Sequence, residues 1–315
     1  MSKLYETEIL LDVDVLNVDA ASFRQMHEAA GGDLEKVKQI VLDTVTRRGK
    51  QHNPVTGSGG MLLGRVRRVG RDVSDRGVVV GDRVATLASL SLTPLRIDRF
   101  MAIREESAQL DIEGQAVVFA SAPFARLPED FEPRVAVALL DVAGAAPQVA
   151  RLVSPGDRVA ILGAGGKSGV LCAAEARRRV GPSGKVIGFE SFAPYADDLR
   201  ALGLCDAVVT VDARDPLAVR DALLEHTGYE ADASFSCVNV EGVEMTAIIA
   251  TRQRGKVYFF SMTTSFARAA LGAEGVGKDV DLFIGNGYAQ GHAEHTLDLV
   301  RSLPAVKALV EKRYG

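Results

Sequence analysis

The sequence has only three cysteines and no tryptophan among its 315 residues, and it contains neither a C-x-x-C pair nor a His/Cys cluster. Nothing indicates a disulfide framework or a zinc site, and a reduced compartment, the cytoplasm, is expected. No apolar run approaches the roughly 18 residues of a membrane span, and the N-terminus lacks a secretory core. The net charge of −4 gives no indication of a nucleic-acid groove or a membrane-binding surface.

What remains is an ordinary globular composition with an excess of glycine. Hydrophobic residues make up 47% of the chain and charged residues 25%, and the length allows about two domains. The 31 glycines exceed the usual share of about 7%. Many of them stand in short motifs, which suggests that the backbone approaches ligands closely.

The first part of the chain has the pattern of a small β-domain with one helix. The stretch TEILLDVDVLNV (residues 7–18) partly alternates, as a half-buried strand does. The next periodic segment predicts a helix after the N-cap Asp33 that ends at Gly49. The stretches NPVTGSGGMLLGRVRRVG, VVVGDRVATL and AVVFASAPFARLP indicate further short strands. Their close spacing predicts a barrel or sandwich for residues 1–127.

The pattern changes after Pro133, where RVAVALLDVAGAAPQVARLV predicts a pair of helices. Strands then alternate with helical stretches, and the strands are almost wholly apolar, as strands covered on both faces are. Six such strands with crossover helices predict a doubly wound parallel sheet of the Rossmann type. The predicted strands are 158–162, 185–189, 207–211, 233–238, 256–260 and 280–285.

The turn LGAGGKSG after the first of these strands has two incompatible interpretations. Its GKS resembles the end of a phosphate-binding P-loop, but Ile161 stands where that motif needs its first glycine. The glycines instead suit a dinucleotide-binding turn, in which Gly163 allows a tight turn and Gly169 lets the helix pack on the sheet. Gly165 or Gly166 would admit the pyrophosphate beside the positive helix terminus. The predicted phosphate-binding residues are Gly163, Ala164, Gly165, Gly166, Lys167, Ser168 and Gly169.

The end of the second parallel strand carries the candidate for cofactor choice. Glu190 lies 27 residues after Gly163, where a carboxylate can accept hydrogen bonds from the adenosine ribose and repel a 2′-phosphate. NAD is therefore expected, with Ser191 beside it, while an exposed loop glutamate is the alternative. Because Arg200 or Lys185 could still hold a phosphate, NADP stays open.

Several motifs together resemble the medium-chain dehydrogenase/reductase superfamily: VGDRVATL, VSPGDRVAILGAGGKSG and ALGLCDAVV. The resemblance implies a GroES-like β-barrel catalytic domain (1–130) followed by a Rossmann domain (131–315), an α/β architecture. Zinc-dependent members carry Gly-His-Glu where this chain has TGSGG, with Ser58 at the histidine, and the first cysteine here is Cys172. A metal-free branch is therefore implied.

Longer stretches narrow the resemblance. Five of them are similar to the 3,5-diaminohexanoate dehydrogenases of bacterial lysine fermentation: NPVTGSGGMLLG, SLSLTPLRI, LDVAGAAPQVARLV, FFSMTTSFARAALGAEGVGKDV and IGNGYAQGHAEHTL. The resemblance covers essentially the whole chain. It implies oxidative deamination of a small diamino acid at C3, with release of ammonia and reduction of the nicotinamide. Since this superfamily often dimerises through its edge strands, a homodimer is also expected.

The resemblance and the chemistry together nominate the catalytic candidates. The amine must lose a proton before hydride leaves, so a base is required. Asp141 is the first candidate for the base or the ammonium anchor, with a helix cap as its structural alternative. The loop KQHNPVTGSGG supplies Lys50 and His52, which could bind the carboxylate or relay protons, and Thr56 and Ser58, which could hydrogen-bond the amine or water. The structural alternatives are a turn braced by His52 and a solvated Lys50. Residues expected beside the nicotinamide follow the last parallel strands: Cys237, Val238, Asn239, Ser261, Met262, Thr263 and Asn286.

Two other functions remain open from the sequence. A metal-free NADPH-dependent quinone or enoyl reductase would share the architecture, although Glu190 and the polar TGSGG loop argue against it. A non-catalytic dinucleotide-binding protein would share the turn.

Overall fold

The computed structural model describes residues 4–285 and 287–315, and the chain divides into two compact units. One runs up to Asp141 and includes Glu311–Gly315; the other is Val142–Val310. The sequence analysis placed the domain boundary at residue 130, whereas the helix Pro133–Leu140 groups with the first unit. Within the described residues no single helix is long and apolar enough to span a membrane, although the pair Pro133–Leu140 and Ala145–Leu152 meets those criteria jointly.

The first unit is built on an antiparallel sheet of six strands, in the order β4-β5-β1-β2-β3-β6. The β1–β2 and β4–β5 pairings contain shifts of register of the kind that β-bulges produce. Its elements are β1 (Glu8–Asn17), α1 (Ala20–Ala29), α2 (Leu34–Arg48), β2 (Met61–Val69), β3 (Arg83–Thr86), β4 (Leu95–Arg104), β5 (Gln109–Phe119), β6 (Phe124–Arg126) and α3 (Pro133–Leu140).

Local sequence explains the helix that covers this sheet. Asp33 caps α2 by accepting hydrogen bonds from the backbone N–H groups of Glu35 and Lys36, the second and third residues of the helix. Gly49 ends it with φ of 67°, a left-handed conformation that glycine adopts without strain. Both ends agree with the sequence prediction. Its apolar face, which includes Val37, Val41 and Val45, packs into the core of the first unit.

The second unit is a parallel sheet of six strands in the order β12-β11-β10-β7-β8-β9, which confirms the predicted Rossmann architecture. The strand order reverses between β7 and β10, so the ligand crevice of such a sheet lies at their carboxyl ends. Its elements are α4 (Ala145–Leu152), β7 (Arg158–Leu162), α5 (Lys167–Val180), β8 (Lys185–Glu190), α6 (Ala193–Leu202), β9 (Ala207–Thr210), α7 (Pro216–Thr227), β10 (Ala231–Ser236), α8 (Glu244–Ala250), β11 (Thr251–Phe259), α9 (Phe266–Gly275), β12 (Asp281–Ile284), α10 (His292–Arg301) and the start of α11 (Pro304–Tyr314).

One carboxylate connects three strands of this sheet at their amino ends, opposite to the ligand crevice. Asp232, in β10, accepts hydrogen bonds from the backbone N–H of Arg158 at 2.8 Å and from its Nε at 2.9 Å. Arg252 Nε donates to the other carboxylate oxygen at 2.6 Å. Burial alone would raise the pKa of Asp232, but these hydrogen bonds outweigh it and lower that pKa to about 2. The carboxylate therefore joins β7, β10 and β11 at their amino ends.

Substituting Asp232→Asn should lower the free energy of unfolding at pH 7 by about 1–2 kcal/mol, a value reduced for solvent screening. The folded-state pKa lies below the ordinary 3.8, so the contribution is present above that pH and disappears as the pH falls toward 2. Urea unfolding across this range should show a steeper loss for the native chain than for the variant. Asp221→Asn, on exposed α7, is the control, and identical pH dependence of the native chain and Asp232→Asn would contradict the assignment.

Candidate active site

The glycine-rich turn joins β7 to α5 in the second unit, at the sheet position where the strand order reverses. Gly163 has φ of 71°, and its N–H donates to the carbonyl of Phe189 at 2.8 Å. The N–H of Ala164 donates to the same carbonyl at 3.1 Å. Both bonds tie the turn to the end of β8, so its backbone is fixed before any ligand arrives.

Three glycines of the turn differ in the space around them. A Cβ on Gly169 would lie 2.1 Å from the carbonyl oxygen of Gly163, so only glycine lets α5 pack directly on the turn. A Cβ on Gly165 would lie 2.8 Å from Tyr195 and 3.0 Å from Glu190 Oε2. At Gly166, by contrast, the nearest atom would be 3.5 Å away. Gly169 and Gly165 therefore serve packing, and the open side of the turn is at Gly166.

The open side coincides with the start of α5. Gly166 is the N-cap and offers no side chain to the amides of the first turn, while Lys167 and Ser168 are the first helical residues. A helix start without a capping side chain suits an anion, because its amides and its partial positive charge face outward. These residues fit a dinucleotide pyrophosphate. Only four residues separate Leu162 from Lys167, too few for the P-loop that GKS resembles.

Glu190 is buried, with 8% of its surface exposed, so the alternative of an exposed loop glutamate is wrong. Its Oε2 accepts a hydrogen bond from the N–H of Gly165 at 3.0 Å, and its Oε1 accepts one from the N–H of Phe192 at 3.0 Å. The carboxylate thus braces the glycine-rich turn against the start of α6. Each oxygen keeps a second lone pair, so this bracing is compatible with accepting from a ribose hydroxyl. Ser191, which follows, is exposed.

The two cations that could favour a 2′-phosphate are engaged elsewhere. Arg200 donates to Asp197 at 2.7 Å and to Thr210 Oγ1 at 2.8 Å. Lys185 Nζ donates to Asp206 at 3.2 Å. Holding a phosphate would require either side chain to give up these contacts.

The loops after β10 and β11 meet through their hydroxyl side chains. Ser261 Oγ donates to Asn239 Oδ1 at 2.9 Å and lies 2.9 Å from Thr263 Oγ1. Thr263 Oγ1 in turn lies 3.5 Å from the carbonyl of Val238. Met262 is 60% exposed. The structure thus brings the candidates 238–239 and 261–263 together beside the crevice, whereas Asn286 lies outside the described residues.

Cys237 packs rather than faces solvent. Its Sγ lies 3.7 Å from Sγ of Cys172 on α5, and both side chains are buried. The contact with Cys237 and burial together raise the pKa of the Cys172 thiol well above its ordinary value. The Cys172 thiol therefore lacks the character of a nucleophile. Among the described residues, no group of three His, Cys, Asp or Glu side chains is placed to hold a metal ion.

The polar loop between α2 and β2, residues 49–60, contains four of the five catalytic candidates. Asn53 organises it: its Oδ1 accepts from the N–H of Val55 at 2.8 Å, and its Nδ2 donates to Gln25 at 2.9 Å and to the carbonyl of Ser22 at 3.3 Å. Thr56 Oγ1 lies 2.6 Å from Ser22 Oγ. The loop is therefore anchored to the first turns of α1, a helix that the sequence patterns did not predict.

The candidate side chains differ in their surroundings. The N–H of Ser58 donates to Thr56 Oγ1 at 3.3 Å, so these two hydroxyl residues are adjacent. His52 has a buried Nδ1 without a partner among the described residues. Lys50 is partly exposed. Asp141 is half-buried at the C-cap of α3, where its N–H donates to Val137 O at 3.0 Å.

Two polar residues of this loop were missed by the sequence reasoning. Asn53 precedes Pro54, and Asn-Pro is a recognised turn signal that could have identified it. Gln51 is wholly buried, and neither end of its amide has a partner among the described residues. No sequence pattern marks a buried glutamine of this kind.

Comparison with solved structures identifies the fold. The quinone oxidoreductase of Coxiella burnetii superposes with a TM-score of 0.63 at 18% identity, over 100% of this chain and 90% of the other. An alcohol dehydrogenase of Thermus sp. ATN1 superposes with a TM-score of 0.57 at 18% identity, over 97% and 83%. The predicted fold class, a GroES-like domain followed by a Rossmann domain, is thereby confirmed.

Comparison with sequences identifies the family. The model of the L-erythro-3,5-diaminohexanoate dehydrogenase N-terminal domain matches residues 1–128. The L-erythro-3,5-diaminohexanoate dehydrogenase of Acetoanaerobium sticklandii is 50% identical over 99% of this chain and 91% of its own. That of Fusobacterium nucleatum is 48% identical with the same coverage. With half of all positions shared along nearly the full length, the chain belongs to the L-erythro-3,5-diaminohexanoate dehydrogenase family.

Proposed function

We propose that this chain oxidises 3,5-diaminohexanoate at C3 with NAD and forms 5-amino-3-oxohexanoate, ammonia and NADH. The observation that carries the proposal is the near full-length identity of about one half to two dehydrogenases of that name. The turn at Gly163–Gly169, with its open side at the start of α5, supports a dinucleotide as the oxidant.

The chemistry sets the tasks for the polar side chains. The C3 ammonium must lose a proton before a hydride can leave C3, and the bound nicotinamide supplies the hydride acceptor. The iminium left on the substrate then takes up water, and the adduct releases ammonia to give the ketone. One base can serve both the first deprotonation and the activation of water. The substrate carboxylate requires donors, and its C5 ammonium requires an acceptor.

Within this proposal Asp141 is the base or the ammonium anchor, and the loop candidates bind and relay. Thr56 and Ser58 are adjacent hydroxyl residues that suit the amine or the water, and Thr56 is oriented by its contact with Ser22. His52 relays a proton through its imidazole, and Lys50 attracts the carboxylate. Each of these roles is a proposal that rests on residue chemistry and position.

NAD rather than NADP is the proposed cofactor. The support is Glu190, whose carboxylate is buried beside the turn at the end of β8, while Arg200 and Lys185 form other ion pairs. A 2′-phosphate at this position would meet a fixed negative charge.

We also propose that the protein is a cytoplasmic homodimer that acts in lysine degradation. Support for the dimer comes from β12, which forms one edge of the parallel sheet and ends at Ile284, a residue that is 60% exposed. An open edge with an apolar side chain can continue its sheet into a second copy. The low cysteine content supports the cytoplasmic location.

The direct test is a substrate panel with NAD, scored for both NADH and ammonia. 3,5-Diaminohexanoate should react with equal release of the two products, and the rate should rise with pH as the C3 ammonium loses its proton more readily. 3-Aminohexanoate should be poor by a factor of roughly 100, because it leaves the acceptor of the C5 ammonium without its partner. Equal rates for the two substrates would show that no such acceptor exists.

Asp141→Asn should reduce kcat by at least about 100-fold, the scale of losing a general base, and leave the affinity for NAD nearly unchanged. The variant preserves the size of the side chain, and Asp75→Asn, an exposed residue of the same unit, is the matched control. Steady-state kinetics and NAD titration separate the two effects. Full turnover in Asp141→Asn would show that Asp141 is not the base, and His52 would be the next residue to test.

Glu190→Gln should reduce the preference for NAD over NADP about tenfold, or about 1.4 kcal/mol, because it removes the negative charge and keeps an acceptor for Gly165. Dissociation constants of both cofactors, measured by calorimetry, provide the ratio. Glu225→Gln, exposed on α7, should leave it unchanged. If the ratio of the NAD and NADP dissociation constants is unchanged in Glu190→Gln, Glu190 only supports the turn and does not select the cofactor.

A further inference from the structure

Two hydroxyl side chains meet in the first unit, Ser22 on α1 and Thr56 in the 49–60 loop. Their oxygens lie 2.6 Å apart, a distance at which one hydroxyl donates a hydrogen bond to the other. The two residues differ in exposure, because Ser22 is wholly buried, at 0%, whereas Thr56 is half-buried. This difference determines which of the two hydroxyls donates.

Ser22 is the donor of this pair. Among the described residues, Thr56 Oγ1 is the one hydrogen-bond partner of Ser22 Oγ. If Thr56 donated, the hydrogen of the buried Ser22 hydroxyl would have no acceptor, which costs stability. The hydrogen of Thr56 has no such restriction, because its residue is partly exposed to solvent. The arrangement that leaves no buried hydrogen unpaired is therefore donation from Ser22 to Thr56.

The Thr56 hydroxyl is thereby restricted to donating. A hydroxyl oxygen has two lone pairs. On Thr56 Oγ1 one lone pair accepts from Ser22 Oγ, and the other accepts from the backbone N–H of Ser58 at 3.3 Å. With both lone pairs in use, the hydrogen is the one hydrogen-bonding function of this side chain that is left for a ligand.

The backbone around Thr56 fixes the direction of this hydroxyl. The N–H of Asn53 donates to the carbonyl of Ser58 at 2.8 Å, and the N–H of Gly57 donates to the carbonyl of Asn53 at 2.9 Å. The N–H of Thr56 donates to Asn53 Oδ1 at 3.3 Å. The turn from Asn53 to Ser58 is therefore closed by its own hydrogen bonds, and Thr56 needs no rearrangement to present its hydroxyl.

The chemistry of the substrate indicates what this donor binds. An ammonium group has hydrogens and no lone pair, so a hydroxyl without a free lone pair cannot accept from it. Of the charged groups of 3,5-diaminohexanoate, the C1 carboxylate is the one that accepts hydrogen bonds. A bond to a charged acceptor is also stronger than a bond to a neutral one.

We propose that Thr56 donates a hydrogen bond to the C1 carboxylate of the substrate and is a specificity-determining residue, an inference that rests on the proposed function. Ser22 is its positioning residue, since it occupies a lone pair of Thr56 Oγ1 and leaves the hydroxyl as a donor. Thr56 thus serves the carboxylate rather than the amine or the water. A carboxylate is bound in this way, and a second ammonium at the same place is refused.

The test is Thr56→Val, which keeps the shape of the side chain and removes its hydroxyl. The value of kcat/KM for 3,5-diaminohexanoate should fall about 10- to 100-fold, the range for losing one hydrogen bond to a charged group. The fall should lie mainly in KM, and the pH dependence of kcat should be unchanged, because the carboxylate takes no part in proton transfer. The dissociation constant for NAD should stay within about twofold.

Two inhibitors that each carry part of the substrate separate the carboxylate from the amines. Hexanoate has the carboxylate and no amine, and pentane-2,4-diamine has both amines and no carboxylate. Thr56→Val should raise the inhibition constant of hexanoate at least about tenfold and leave that of the diamine within about twofold. Ser22→Ala should show the same selectivity with a smaller effect, because the hydroxyl remains and is no longer held as a donor.

A double variant separates loss of binding from loss of stability. Thr56→Val leaves the buried Ser22 hydroxyl without an acceptor and should lower the urea midpoint. Adding Ser22→Ala removes that unpaired group and should raise the midpoint again, while kcat/KM stays as low as in Thr56→Val. Thr56→Ser keeps the hydroxyl and should retain most of the native kcat/KM. Thr44→Val, whose hydroxyl donates to the carbonyl of Ile40 within α2, is the matched control and should leave activity unchanged.

Several results would overturn the assignment and leave the proposed function intact. One is a Thr56→Val enzyme with kcat/KM within twofold of the native value, and another is a Thr56→Val enzyme that binds the diamine more weakly and hexanoate as before. Recovery of kcat/KM together with the urea midpoint in the double variant would make the effect of Thr56 structural. A native chain that produces no NADH from 3,5-diaminohexanoate would instead overturn the proposed function and this inference with it, so the native enzyme is assayed first.

Discussion

The close approach of Gly169 to Gly163 is the contact on which the candidate cofactor site depends. A single added carbon at Gly169 would come within 2.1 Å of a backbone oxygen, so any other residue would push α5 away from the end of β7. With α5 displaced, Gly166 would no longer hold an uncapped helix start at the edge of the sheet, and the bond from Gly165 to Glu190 would break. The candidate phosphate site, the position of Glu190 beside it and the orientation of the turn therefore share one steric requirement.

The fold alone does not decide the reaction. A quinone oxidoreductase and an alcohol dehydrogenase superpose on this chain with TM-scores of 0.63 and 0.57, although their names describe different chemistry. Reaction type must therefore come from side chains placed on a shared architecture. In the 49–60 loop, which holds four of the catalytic candidates, Asn53 is fully hydrogen-bonded, whereas Gln51 and His52 have buried atoms without a partner among the described residues.

The sequence predicted those features that are local or periodic. The six parallel strands were located to within two or three residues at most ends, except that β11 begins at Thr251 rather than at residue 256, and Asp33 and Gly49 were recognised from the chemistry of helix ends. Two elements were missed: α1, although Asp19 caps it and Phe23 and Met26 form its buried face, and the mostly exposed β4, which shows no clean alternation. The burial of Glu190 and the unpaired amide of Gln51 depend on distant parts of the chain, so no local pattern encodes them. The catalytic candidates remain predictions for the same reason.

The most direct test of the account is calorimetric titration of the native chain with NAD and, separately, with Mg-ATP. The turn between β7 and α5 is too short for a P-loop, and its open side at Gly166 is the proposed site of a dinucleotide pyrophosphate. NAD should therefore bind with a dissociation constant at least about tenfold lower than that of Mg-ATP. Tight binding of Mg-ATP together with no measurable binding of either NAD or NADP would contradict the account.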